Sequence, residues 1–218
     1  MSYSSRFRTK FGVLMNAETL LLTHKKNKSP NSEPNKTGNE RKRNSNDPLT
    51  KHEVEQLLSK VDNLKDYTLL LFGFSSGVRV GELSFDYNSI IWQEGYVSIW
   101  DEKKDRYRKV YIPDNVLNSL RRYWNERLDK KSPKFFDISS KTVERIIQKW
   151  TGQILSKPKS WHCVRHTYIT LSFESNIPIS IVIENTGDKP VTILQYYTKL
   201  SPAFIKNEIN NKNLFRSI

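Results

Sequence analysis

The chain has 218 residues, with 36 Lys or Arg against 23 Asp or Glu and a net charge of +13 at pH 7. Such an excess selects a polyanionic partner: nucleic acid, an anionic membrane surface or an acidic protein. No apolar run approaches the ~20 residues of a membrane span, and Phe11 to Leu22, broken by Asn16, Glu18 and Thr19, is no signal peptide. The single cysteine, Cys163, excludes an internal disulfide and a cysteine-based metal cluster. An intracellular nucleic-acid protein is the economical class.

Hydrophobic residues make up 36% of the chain and the mean hydropathy is −0.66, which points to a polar portion beside a real core. That portion is residues 1–47. Val13 to Leu22 has the pattern of a short helix, but Lys25 to Asp47 contains no large apolar residue and reads as a flexible linker. Residues 1–47 carry ten Lys/Arg and four Asp/Glu, a net of +6. Arg41, Lys42 and Arg43 are the densest cationic run of this arm and are expected to touch DNA.

The folded part, residues 48–218, begins at Pro48. Thr50 and Glu53 form a capping box before a helix with Val54, Leu57, Leu58 and Val61 inward. A second helix presents Leu64, Tyr67, Leu71 and Phe74 on one face and stops at Gly77. Val78 to Leu83 reads as a short new helix. Asn88–Trp92, Tyr96–Trp100 and Tyr107–Ile112 are rich in β-branched and aromatic residues, and turns at Gln93–Gly95 and Asp101–Arg106 separate them. They predict a small three-stranded antiparallel sheet. Helices return with Asp114 as a cap, then with Ser139 or Ser140 as a cap, then over Trp161 to Thr170. Pro178 opens a helix that stops at Gly187, Pro190 opens a segment ending in Tyr196-Tyr197-Thr198, and Ser201-Pro202 begin a last helix to about Leu214.

The most informative stretch is Trp161-His162-Cys163-Val164-Arg165-His166-Thr167-Tyr168. On a helix His162 and Arg165 share one face, while Val164, Tyr168 and Leu171 can bury the opposite one. An imidazole and a guanidinium fixed this way can grip a phosphate. His-x-x-Arg is short and common, and gains weight only from the rest of a phosphate-handling site. Three further stretches supply it: Gly77-Val78-Arg79-Val80-Gly81-Glu82-Leu83, the lysine pair Lys103-Lys104 in the sheet's second turn, and the tyrosine pair preceded by Thr186-Gly187-Asp188.

Together these resemble the tyrosine recombinases, the family of phage-type integrases and Xer recombinases. Ser76 to Leu83 is similar to the family's "TG-[LV]-R-x-x-E-L" box, Trp161 to Thr170 to its "H-x-L-R-H-[ST]" box, and Gly187 to Thr198 to its "L-G-H…T-x-x-Y-[TS]" box. The resemblance covers roughly residues 48–200. It implies a mostly helical α+β catalytic domain with a small three-stranded antiparallel sheet.

It also implies the roles. Arg79 and Arg165 grip the non-bridging oxygens of a scissile phosphate with bidentate forks that lysine could not match. His162 assists deprotonation of the nucleophile or bonds a phosphate oxygen. A hairpin lysine protonates the leaving 5′-oxygen. Lys103 is preferred, nearer the strand end, with Lys104 the live alternative. Tyr197 is the expected nucleophile because it directly precedes Thr198, as the family's tyrosine precedes Thr or Ser. Adjacent Tyr196 points about 100° away on a helix and, with Ile193, reads as packing. His166 follows the arginine as in the family and reads as a supporting residue, and Cys163 as core. Lys104, Arg106 and Lys189 join the arm as DNA-binding candidates.

Two departures stand out. Asp188 occupies the position of the family's His or Trp, and cannot donate to phosphate while ionised; Lys189 would replace it if turned inward. Residues 1–47 are also too few for the core-binding domain that family members carry before the catalytic domain. The expected function is site-specific cleavage and rejoining of double-stranded DNA through a 3′-phosphotyrosine link. The alternatives are a non-catalytic DNA-binding protein of the same fold and a type IB topoisomerase-like relaxing enzyme. No metal, cofactor, small-molecule substrate or membrane is expected. The expected assembly is a homotetramer on DNA, exchanging a C-terminal segment for which residues 203–214 are the candidate. The expected location is cytoplasmic and nucleoid-associated.

The arm generates a direct prediction. Deleting residues 1–47 will flatten the plot of log DNA affinity against log salt by about 0.9 per lost phosphate contact. An unchanged slope would show that the arm is only a tether.

Overall fold

In the computed structural model, Thr50 starts the first helix. Its hydroxyl accepts from the Glu53 amide at 3.2 Å while Glu53 Oε2 accepts from the Thr50 amide at 2.9 Å, completing the reciprocal cap. The structure describes residues 46–128, 131–197 and 202–211. The chain divides into two units, Met1–Thr37 and Gly38–Ile218; the first lies outside the described residues, as do Arg41, Lys42, Arg43 and the helix expected at 13–22.

Helix α1 (Lys51–Lys60) precedes α2 (Leu64–Ser76), whose segment Thr68–Phe74 is buried on every side. The one-sided pattern expected for α2 is thus incomplete: Leu69, Leu70 and Phe72 are fully enclosed because α3 (Asp114–Glu126) and α5 (Trp161–Glu174) pack against it from different sides. Helix α5 corrects the sequence reading in the same way. It is not amphipathic, since Trp161, Cys163, Val164, Thr167, Tyr168, Ile169 and Phe173 are all buried. It runs through the core and carries Arg165 inside with it, 3% exposed.

The sheet forms as expected, in the order β1–β2–β3 and antiparallel throughout. Its first strand shrinks to β1 (Ile90–Ile91), because Tyr87–Ser89 close into a 3₁₀ turn. Strand β2 (Tyr96–Asp101) pairs with β3 (Arg106–Tyr111), placing Val97 opposite Val110, Ile99 opposite Arg108 and Asp101 opposite Arg106. Asp101 therefore ends a strand rather than starting the turn. By the two-residue alternation of strands, Val97, Ile99, Asp101, Arg108 and Val110 face inward and are buried.

Helix α4 (Ser140–Leu155) is capped by Ser139. Asp114 is the first residue of α3, not its cap; Pro113 takes that place. Helix α6 (Ile179–Thr186) is bolted to the free edge of β3 by one amide: Asn185 Oδ1 accepts from the Tyr111 N–H and Asn185 Nδ2 donates to the Tyr111 carbonyl, both at 2.9 Å. Helices α7 (Pro190–Tyr197) and α8 (Pro202–Asn211) follow. Among the described residues no helix is long and apolar enough to cross a membrane.

The fold depends on glycine where α2 ends. Gly77 has φ +65°, and a Cβ there would lie 2.4 Å from Tyr168 Cδ1; Gly81 faces open space. Gly77→Ala should cost on the order of 2–4 kcal/mol from backbone strain plus overpacking, read from urea unfolding, while Gly81→Ala should be close to neutral. Equal effects would contradict the packing described.

Candidate active site

Two helix ends meet at Arg165. Helix α2 stops at Gly77 and α6 at Gly187, both in the left-handed conformation, with φ +65° and +68°. The Gly77 carbonyl accepts from Arg165 Nη1 at 2.5 Å and the Thr186 carbonyl accepts from Nη2 at 2.8 Å. The carbonyl ends of helices carry partial negative charge, so the buried guanidinium is fixed by main chain that no side-chain substitution removes.

Asp188 completes its coordination. Asp188 Oδ2 accepts from Arg165 Nη2 at 2.6 Å and Oδ1 accepts from Arg79 Nη2 at 2.7 Å. One carboxylate thus spans both arginines, one oxygen to each. Arg79 sits before the 3₁₀ turn Val80–Leu83 rather than in a new α-helix. Its Nη1 donates to Glu82 Oε1 at 2.8 Å and its backbone N–H donates to Glu82 Oε2 at 2.6 Å. Glu82 is no surface partner, since its side chain is only 7% exposed.

The same carboxylate affects the two arginines differently. Burial lowers the Arg165 guanidinium from its ordinary value, and Asp188 only partly offsets this. Burial alone would lower Arg79 too, but Glu82, Asp188 and Asp101 together outweigh it and raise it. The deeper arginine is the one with fewer carboxylates.

His162 is exposed at one rim of the cluster, its ring edge-on to His166 with centroids 4.1 Å apart. Crowding of the ring and then the Arg165 charge push its pKa below the ordinary value, against the opposing pull of Asp188 and Glu144. His166 Nδ1 bonds the Asn46 carbonyl at 2.9 Å, and the Cys163 thiol donates to the Asp47 carbonyl at 3.0 Å. Residues 46 and 47, which composition assigns to the arm, therefore pack on α5. Cys163 is fully buried and its thiol is pushed up to about 11, chiefly by burial, which suits a core residue.

Lys103 and Lys104 both lie exposed in the β2–β3 turn. The Lys103 backbone N–H donates to Asp101 Oδ1 at 3.2 Å and that of Lys104 donates to the Asp101 carbonyl at 3.1 Å. Arg106 and Lys189 are exposed as well, so Lys189 is not turned in to the arginines. Tyr197 is the last residue of α7, and its side chain lies outside the described residues. Tyr196 is half-buried against Ile193 and its neighbours, with its ring 5.0 Å from that of His166; burial raises its pKa.

The structure also brings in two residues that the motifs did not flag. Arg108 Nη2 donates to Glu82 Oε2 at 2.9 Å, and buried Asp101 lies beside it under Gly187. Their signal in the sequence is a charge in the inward register of a strand. The cluster then holds Arg79, Arg108 and Arg165 against Glu82, Asp101 and Asp188, three charges of each sign. Among the described residues no group of three or more His, Cys, Asp or Glu is arranged to hold a metal ion.

Known proteins share this arrangement of elements. Residues 47–203 match the phage integrase family. The tyrosine recombinase XerA of Pyrococcus furiosus is 26% identical over 181 residues, which are 78% of this chain and 63% of the relative. A crystal structure of XerA recombinase shares the fold with a TM-score of 0.68 at 22% identity, over 76% of this chain and 65% of that one. A XerH site-specific recombinase bound to palindromic difH substrate, in a post-cleavage complex, gives 0.65 at 17% identity, over 76% and 53%. This chain spans less than two thirds of each of these proteins.

The environment of His162 fixes the sign of a titration. Its NMR midpoint should fall below the ordinary value of about 6.5, and Asp188→Asn should lower it further by removing a favourable charge. A midpoint that rises in Asp188→Asn would contradict the electrostatic picture.

Proposed function

The chain belongs to the phage integrase family, and on that premise we propose that it cleaves and rejoins duplex DNA at a specific site through a covalent phosphotyrosine link at Tyr197. The observation that carries this reading is the convergence of Arg79 and Arg165 on one anion, with the two oxygens of a single carboxylate shared between them. A phosphodiester likewise presents two non-bridging oxygens on one atom, and two guanidiniums at that spacing stabilise the charge that develops there.

The Tyr197 oxygen attacks the scissile phosphorus and the bond to the 5′-oxygen breaks. The phenolic proton leaves to a base, and His162, held neutral near pH 7 by its lowered pKa, has the right protonation state to accept it. The departing 5′-oxygen takes a proton from the turn lysine, Lys103 or Lys104. The phosphotyrosine ester keeps the energy of the broken bond, so a second 5′-hydroxyl can reverse the step without ATP. Tyr196 is half-buried against Ile193, with its ring beside that of His166, which suits a packing residue rather than the nucleophile.

Asp188 has to leave the arginines as phosphate enters. Adding a phosphodiester to a cluster of balanced charge would otherwise leave an excess anion in a buried site. Lys104, Arg106 and Lys189 lie exposed and, with Arg41, Lys42 and Arg43, form the reading's DNA-backbone contacts. Assembly as a tetramer on DNA, with α8 in the exchanged segment, belongs to the same reading, and Ile209, 67% exposed on α8, is a side chain a neighbour could cover.

The test uses a randomised library of nicked duplexes, from which the short strand diffuses away after cleavage and traps the covalent product. The protein should give an adduct that resists denaturation, persists in Tyr196→Phe and vanishes in Tyr197→Phe. Arg165→Lys should lose on the order of 10²–10³-fold in cleavage, and Asp188→His should cleave faster than the parent. An adduct in Tyr197→Phe would move the nucleophile to another residue; no adduct in any variant would favour a DNA-binding protein that does not cleave.

A further inference from the structure

Arg108 stands outside every motif, yet its side chain is only 5% exposed on the inner face of β3. Its Nη2 pairs with Glu82 Oε2, while Nε and Nη1 are buried without a hydrogen-bond partner among the described residues. Asp101, 2% exposed on the same face of the sheet, keeps Oδ2 equally unpartnered among them. A guanidinium is costly to bury and an apolar side chain of similar volume would often be at least as stabilising there, so packing alone does not account for it.

Its neighbours lead to each arm of the arginine site. Glu82 holds Arg79 by both side chain and backbone. Gly187 lies directly over the Arg108–Asp101 floor: a Cβ there would stand 2.9 Å from Arg108 Nε and 2.9 Å from Asp101 Oδ2. The residues on either side of Gly187, Thr186 and Asp188, are both partners of Arg165. Asp101 in turn receives the backbone N–H of Lys103.

The geometry points to Arg108 as a positioning residue for the phosphate site. Through Glu82 it sets the Arg79 guanidinium, and as the floor beneath Gly187 it seats the turn that supports Arg165. This rests on the recombinase reading, because phosphate is what Arg79 is held to meet. Lysine at 108 would keep the charge but lose the planar fork that spans Glu82 and the floor.

The test compares Arg108→Lys, Glu82→Gln and the double variant in the full chain, on the nicked duplex recovered from the library selection. Arg108→Lys should slow single-turnover cleavage about 100-fold, the cost of a misplaced catalytic group, with DNA affinity unchanged. In the Glu82→Gln background the same change should cost clearly less than in the parent, since the route through Glu82 is already lost and only the floor beneath Gly187 remains. Independently of cleavage, the ¹⁵N-labelled Nε–Hε resonance of Arg79 should shift in Arg108→Lys; Arg108→Gln serves if the lysine variant does not fold. Equal losses in both backgrounds, or an unmoved Arg79 resonance, would reduce Arg108 to a packing residue. If the parent forms no adduct, the recombinase reading falls and the Arg79 resonance alone decides the role of Arg108.

Discussion

The Asp188 carboxylate, divided between Arg79 and Arg165, is the contact around which the rest of the structure is arranged. Each arginine comes from a separate part of the chain, one after α2 and the other inside α5. Helix α2 ends where a left-handed Gly77 frees a carbonyl for Arg165, and α6 ends the same way beside Thr186. Helix α5 is buried on nearly all sides, so Arg165 has no alternative rotamer in solvent. Its guanidinium is held by main-chain carbonyls and one carboxylate, donors placed in this way needing no reorganisation to meet an anion.

Charge balance shapes the same region. Three guanidiniums and three carboxylates sit together in a largely buried cluster, and removing any one leaves an uncompensated partner. This explains why Glu82 binds two arginines at once and why Asp188 turns inward although it stands where the family has a donor. A paired cation site needs an anion, and Asp188 supplies it. What the departure costs in donor capacity it returns as a built-in counter-ion.

Much of this was legible in the sequence because it rests on short-range rules. The Thr50–Glu53 capping box, the glycine stops at 77 and 187, and the three-stranded sheet follow from local patterns, and the boxes around Arg79, Arg165 and Tyr197 indicated the family. The failures are of one physical kind. Helices α2 and α5 carry residues with a helical period but are enclosed on most sides, and periodicity does not say how many neighbours a helix has. Arg108 stands outside every motif and Asp101 reads as the start of a turn, although each lies at an inward position of its strand. Pairing of Asp188 with both arginines depends on contacts more than 20 residues apart in sequence, which no local pattern encodes.

On the recombinase reading, the arginine pair is a single-anion site held by Asp188 until phosphate arrives. Calorimetric titration of inorganic phosphate into the parent and Asp188→Asn proteins tests this without any DNA sequence. Removing the internal carboxylate should tighten phosphate binding by at least about tenfold, roughly 1.4 kcal/mol, and Arg79→Ala in the same background should abolish the gain. Equal affinities in the parent and Asp188→Asn proteins would show that Asp188 does not occupy the phosphate position and is no counter-ion that phosphate displaces.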